Sequence, residues 1–186
     1  MRADAAKNRE QILAVAREAL RESGDASMIG IARRAGVGPG TLYRHFPTRE
    51  ALIAAVYSDD VERLVRLVPQ LLAEHAPLDA FRTWFRTLAD FVQLKRGLGE
   101  TLQTPVMQEE ISSAYAPVVS AVGELIAACA ADGSMREGLN PEDVLLMMSF
   151  MTRVEPTPAA TARADRAMEL AIYGLHTRRD REETPR

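Results

Sequence analysis

Cysteine is almost missing from this chain. Cys129 is the only one in 186 residues, so no intramolecular disulfide can form, which suits a reducing compartment. Long apolar runs are missing too. No uninterrupted stretch reaches the roughly 20 residues of a membrane span, and the opening MRADAAKNREQI lacks the apolar core of a signal peptide. The expected location is therefore the cytoplasm, with no membrane partner. Period-two alternation of the kind that marks strands is absent, as is any internal repeat. His75 and His176 have no companions at metal-ligand spacing, so no metal site is expected. Cys129 has no histidine close in sequence and no carboxylate pair stands out, so the chain shows no catalytic constellation and calls for no cofactor. Cys129 itself falls on an apolar helical face and reads as a small buried hydrophobe.

What is present points to a folded domain with an uneven charge distribution. Hydrophobic residues make up 47% of the chain and charged residues 26%, the composition of a globular protein. Residues 1–50 hold nine Lys/Arg against six Asp/Glu, whereas the remainder holds fourteen against twenty. A basic head on an acidic body is expected where only the head meets a polyanion.

The apolar spacing is helical nearly throughout, predicting an all-α fold of about nine helices. Ile12, Leu13, Ala16 and Leu20 mark a first helix over 5–23, with Gly24 as its stop. Ser27 caps a second helix that ends at Gly36. Pro39 opens a short third helix, which Pro47 closes near Phe46. Thr48 caps a long fourth helix that Pro69 is expected to kink or end. Pro77 opens a fifth with the aromatic face Phe81, Trp84, Phe85 and Leu88. Over 97–116 the residues Gly97, Gly99, Pro105 and Pro117 predict short helices and bends. Strong helices follow over 117–132, stopped by Gly133, and from the Asn140 cap through Met151. Glu155–Pro158 reads as a loop, 160–176 as the last helix. The implied domains are 1–47, 48–177 and a charged tail, 178–186.

The stretch GVGPGTLYRHFPTRE, residues 36–50, raises the question of whose phosphate its glycines would receive. A P-loop requires G-x-x-x-x-G-K-[S/T] after a buried strand. No lysine follows Gly40, and an amphipathic helix precedes the turn; the spacing and strand of a dinucleotide fingerprint are missing as well. Ile31 and Ala32, a turn glycine at Gly36, then Val37 and Leu42 give instead the frame of a helix-turn-helix. Its second helix presents Gly38, Pro39, Gly40, Thr41, Tyr43, Arg44 and His45 outward.

The segment IARRAGVGPGTLYRHFPTREALI resembles the DNA-binding signature of TetR-family transcriptional regulators, closely over residues 8–56. PLDAFRTWFRTLADFVQLKRGLGETL is similar to the start of the ligand domain in one subgroup. The resemblance implies a homodimeric regulator, a repressor released from a palindromic operator by a small-molecule inducer. Dimerisation would use the last two long helices, about 117–132 and 160–176, with 141–154 as a further candidate. Position by position, it implies DNA contacts by Thr41, Tyr43 and Arg44, backbone contacts by His45 and Arg49, and a phosphate reached by Ser27. Gly38, Pro39 and Gly40 would let the helix start approach a strand closely. Arg44 suits a guanine edge, and the others suit fixing register.

Two positions depart from the family pattern. Gly30 stands where a carboxylate would complete a capping box with Ser27, and Gly38 stands where a capping hydroxyl is usual. In the body, Phe81, Trp84, Phe85, Leu88, Tyr115, Met147 and Met151 are candidates for lining an inducer cavity. Methionines in particular give adaptable packing.

Overall fold

The structure is a computed structural model that describes residues 2–23, 26–96, 103–153 and 157–176. Among these residues there are eight α-helices and no strand: α1 (Arg2–Glu22), α2 (Met28–Arg34), α3 (Pro39–His45), α4 (Arg49–Glu74), α5 (Pro77–Arg96), α6 (Pro105–Ala131), α7 (Pro141–Met148) and α8 (Pro158–Leu175). A 3-10 turn, Ser149–Arg153, follows α7. Gly24, Gly97, Gly99, Glu155–Pro156 and the tail from Arg178 lie outside the described residues.

Local chemistry accounts for most helix ends. Ser27, Asn140 and Thr157 cap α2, α7 and α8 by accepting from the N–H groups of Gly30, Glu142 and Ala160, donors that otherwise have no partner within a helix. Thr48 Oγ1 accepts from the Ala51 N–H at 3.1 Å and does the same for α4. Gly133, with φ 79°, turns the chain out of α6, and the Met135 N–H closes back on Cys129 O at 3.0 Å. A left-handed glycine just past the last turn is a common way to satisfy end carbonyls.

Neither Pro69 nor Pro117 ends its helix. Pro69 lies inside α4, and Pro117 lies inside a 27-residue α6 that begins at Pro105. The short helices and bends expected up to residue 116 are therefore replaced, from Pro105 onward, by one helix. A proline in mid-helix costs about 3 kcal/mol, and apolar burial on the same helix offsets it. In α6 that burial comes from Met107, Ala114, Ala121, Val122, Leu125, Ile126 and Cys129, and in α4 from Leu64, Val68 and Leu71; each large apolar side chain contributes roughly 1.5–3 kcal/mol. By length and composition α6 is also apolar enough to cross a membrane, with a mean hydropathy of 1.6 over 18 residues, of which 33% is buried inside the fold.

Contacts divide the chain into two compact units, one of Met1–Arg63 with Phe91–Tyr115 and another of Leu64–Asp90 with Ala116–Arg186. The expected functional division at residue 47 falls within the first. Unit 1 packs Ile12, Leu13, Ala16, Ile31, Ala32, Leu42, Phe46, Leu52 and Ile53 at its centre. Unit 2 is built around Trp84, which has no exposed surface. Its indole N–H donates to Leu64 O at 2.9 Å, and its ring meets Phe85 edge-on at 5.1 Å. Arg82 joins α5 to α8 through two 2.8 Å bonds to the Glu169 carboxylate, and Arg86 does so through Asp165 at 2.9 Å.

Candidate nucleic-acid interface

The helix-turn-helix is assembled from short-range bonds and one buried anchor. Gly36 takes φ 66°, a backbone state open to glycine at little steric cost. The Val37 N–H then reaches back to Ala32 O at 3.0 Å. From α1, Gln11 Nε2 donates to Ala35 O at 3.0 Å and ties the turn to the first helix. Leu42 is fully buried and Ile31 and Ala32 nearly so, which fixes which face of α3 turns outward.

That outward face carries the residues singled out from the sequence. Gly38, Pro39, Gly40 and Arg44 are exposed, Thr41 and His45 are half-buried, and Tyr43 is 45% exposed. Tyr43 is thus not a core tyrosine, although Leu42 and Phe46 beside it are. Arg44 lies along its own helix, donating from Nε to Gly40 O and from Nη2 to Thr41 Oγ1, each at 3.1 Å. The His45 ring leans against Phe46 at 6.1 Å, and the guanidinium of Arg9 lies 5.7 Å over the Phe46 ring. Arg49 begins α4 and is half-buried.

The unusual glycines differ in their steric settings. Gly38 is the N-cap of α3 without a side-chain cap bond, and a Cβ there, as at Gly40, would meet nothing within 4 Å. The N–H groups of Thr41 and Leu42 both bond to Gly38 O. A Cβ at Gly30 would instead lie 3.0 Å from Ser27 Oγ, pressing on the oxygen that caps α2.

Sequence reasoning did not separate the two arginines that end α2. Arg34 is engaged by Glu22 of α1 at 2.6 and 3.0 Å. That hydrogen bond, and then the arginine's charge, hold the Glu22 carboxyl below its ordinary value. Arg33 is exposed near the turn and adds positive charge beside α3. The only difference between them is a partner twelve residues away, which no local pattern announces.

The candidate inducer residues are scattered in burial. Phe81, Trp84, Phe85 and Leu88 are buried in unit 2 and Met151 is 4% exposed, whereas Met147 is 39% exposed. Tyr115, in unit 1, is 52% exposed. A separate surface cleft of about 430 Å³ in unit 2 is lined by Gly123, Ile126, Ala127, Glu137, Leu139 and Pro141, among others. Cys129, nearby on α6, is fully buried, and burial pushes its thiol up to about 11.

Comparison with known proteins agrees with this geometry. Residues 12–56 match the model of bacterial regulatory proteins of the tetR family, and residues 76–177 match the C-terminal domain of SbtR-like transcriptional regulators. The HTH-type transcriptional regulator UidR of Escherichia coli is 45% identical over 65 residues, a segment covering 34% of this chain and only 33% of that protein. The crystal structure of the TetR transcriptional regulator SCO0520 from Streptomyces coelicolor is 37% identical and superposes with a TM-score of 0.79, over 91% of this chain and 99% of that one. A TetR regulatory protein from Mycobacterium vanbaalenii is 32% identical with a TM-score of 0.75, over 95% and 99% of the two chains.

Proposed function

The chain belongs to the TetR family of DNA-binding transcriptional regulators, and from that premise we propose that it is a repressor, bound as a homodimer to a palindromic operator and released by a small-molecule inducer. The observation that carries the DNA-reading part is the outward face of α3. Gly40, Tyr43 and Arg44 are exposed on a helix anchored by fully buried Leu42. Arg44 reads a base edge. Thr41, Tyr43, His45, Arg49 and Ser27 set register on the phosphates, and Gly38, Pro39 and Gly40 keep the helix start slim against the strand.

Dimerisation is supported by apolar side chains left at the surface of unit 2. Leu146 and Met147 on α7 and Leu170 and Tyr173 on α8 are 73%, 39%, 75% and 80% exposed. This favours the 141–154 and 160–176 segments over 117–132 as the seam, since α6 spends much of its apolar face on the core. For the inducer, Phe81, Trp84, Phe85, Leu88, Met147 and Met151 of unit 2 remain the candidate lining. The Trp84 N–H already donates to Leu64 O, which leaves no indole donor for an inducer and suits an apolar molecule. The protein works in the cytoplasm, where its operator lies.

Random-site selection with the full chain tests the reading. It should recover a two-fold symmetric duplex bound by two copies, with affinity that falls steeply as salt rises because several phosphates are neutralised per head. Recovery of no preferred sequence would overturn it.

A further inference from the structure

Inside unit 1 one charged cluster is set deep enough to be mechanical rather than solvating. Arg17 of α1 is 11% exposed; its Nη2 bonds to Asp59 Oδ2 at 2.5 Å and its Nε to Asp60 Oδ1, both on α4. Asp60 is likewise 11% exposed and Asp59 31%. Consecutive residues on a helix point about 100° apart, so the two carboxylates grip one planar guanidinium from different directions. A single ion pair would leave α1 free to roll or slide, whereas this arrangement opposes both.

We propose that Arg17, held by Asp59 and Asp60, is a positioning residue for operator recognition: it locks α1 to α4 and thereby sets the aim of α3. The path is continuous on named contacts. Arg17 fixes α1 to α4. Six residues earlier on α1, Gln11 holds the turn at Ala35 O. Between them Ile12, Leu13 and Ala16 belong to the same buried core as Ile31 and Leu42.

Energetics favour alignment over stability as the purpose of the cluster. Burial, the largest single influence, raises the Asp60 carboxyl above its ordinary value; the charge and hydrogen bond of Arg17 lower it, Asp59 raises it and Arg63 lowers it, and the net direction is upward. A buried carboxylate whose surroundings on balance disfavour its charge adds little to folding. What it still supplies is directional geometry, which apolar contacts do not.

This inference rests on the DNA-reading function, and its test separates the two. The full-length wild type and Arg17→Met are titrated, by fluorescence anisotropy, with the duplex recovered by random-site selection and with a random-sequence duplex of equal length. Melting is followed in parallel. Expected is a loss of about tenfold or more on the selected duplex, the size of coupling seen between contacting residues. Random-duplex affinity should change less than about twofold, since the phosphate contacts persist. If Arg17→Met unfolds, the isosteric Asp60→Asn, which leaves Arg17 on Asp59, should show the same pattern at smaller amplitude. Unchanged preference in a folded variant, or equal losses on both duplexes, would sink the positioning role alone. A wild type that selects no duplex removes the DNA-reading function, and the inference with it.

Discussion

Arg44 is bonded to Thr41, one turn earlier on the same helix: Nη2 donates to Thr41 Oγ1 at 3.1 Å while Nε donates to Gly40 O at 3.1 Å. The guanidinium is therefore stored against α3, and reading a base requires it to exchange two exposed bonds for two on the DNA. That exchange is nearly even in water, so the gain is confined to the base that accepts both donors. Arg44→Ala should then weaken the selected duplex by about 1–3 kcal/mol, roughly fivefold to 150-fold. Affinity for random duplex should change little. Anisotropy titrations on both duplexes decide the point, and equal losses would make Arg44 a phosphate contact only.

The two glycines that open α3 should respond in opposite ways to a side chain. Both have open space around a new Cβ, so neither substitution is barred by the fold. Gly38→Ser supplies the missing cap and should stabilise by a few tenths of a kcal/mol, with operator binding tightened. Gly40→Ala should stabilise the helix by up to about 1 kcal/mol yet weaken binding, because its methyl stands where the strand approaches. Urea melts paired with titrations read both quantities. Gly40→Ala that binds as well as wild type would move the DNA contact away from this end of the helix.

Much of this fold was legible because its instructions are local. Ser27, Thr48 and Asn140 announce their helices through hydroxyl or amide groups two or three residues from the N–H they satisfy, and Gly36 and Gly133 announce turns by conformational freedom; Thr157, read as loop, also caps a helix, which starts at Pro158 rather than 160. Pro117 misled because a proline states only its local cost; the burial that overrides it is distributed along α6 and set by tertiary packing. The outward face of α3 was legible from Leu42, whose burial orients every neighbour. The Arg17 cluster and the Arg34–Glu22 pair were not, since residues 43 and 12 positions apart share no periodicity. The role of the body aromatics was least legible. An aromatic stripe such as Phe81–Trp84–Phe85 has one pattern whether it fills a core or walls a cavity.

Leu170 and Tyr173 stand one turn apart on α8, largely in solvent, while Met168 and Ile172 on the same helix are buried. Covering such side chains returns roughly 1.5–3 kcal/mol each. Leu170→Glu combined with Tyr173→Glu should leave the helical content unchanged and shift the sedimentation coefficient from dimer to monomer. Operator affinity should collapse with it, since one half-site then binds alone. A double variant that sediments as wild type would place the seam elsewhere.

Acid should weaken unit 2 through Glu169. Its carboxyl is held below the ordinary value of 4.5 chiefly by the hydrogen bond from Arg82, against the opposing effect of burial, with the charges of Arg82, Arg86 and His176 adding smaller pulls downward. The unfolded chain therefore binds this proton more readily than the folded one. The stabilisation is complete above the ordinary value and is lost as pH falls through it toward the folded one. Glu169 is 49% exposed, so the full effect is modest, at most about 1 kcal/mol. Asp60 acts with the opposite sign: its raised carboxyl takes up a proton more readily when folded, so acid stabilises through it. The pH dependence of the wild type alone thus mixes two slopes, and a difference measurement is needed. Glu169→Gln should be less stable than wild type at neutral pH, and the gap in urea midpoint should close as pH falls below about 4.5. Asp60 is unchanged in both proteins and cancels. A gap that persists or widens in acid would show that the bidentate Arg82–Glu169 pair contributes nothing through its charge.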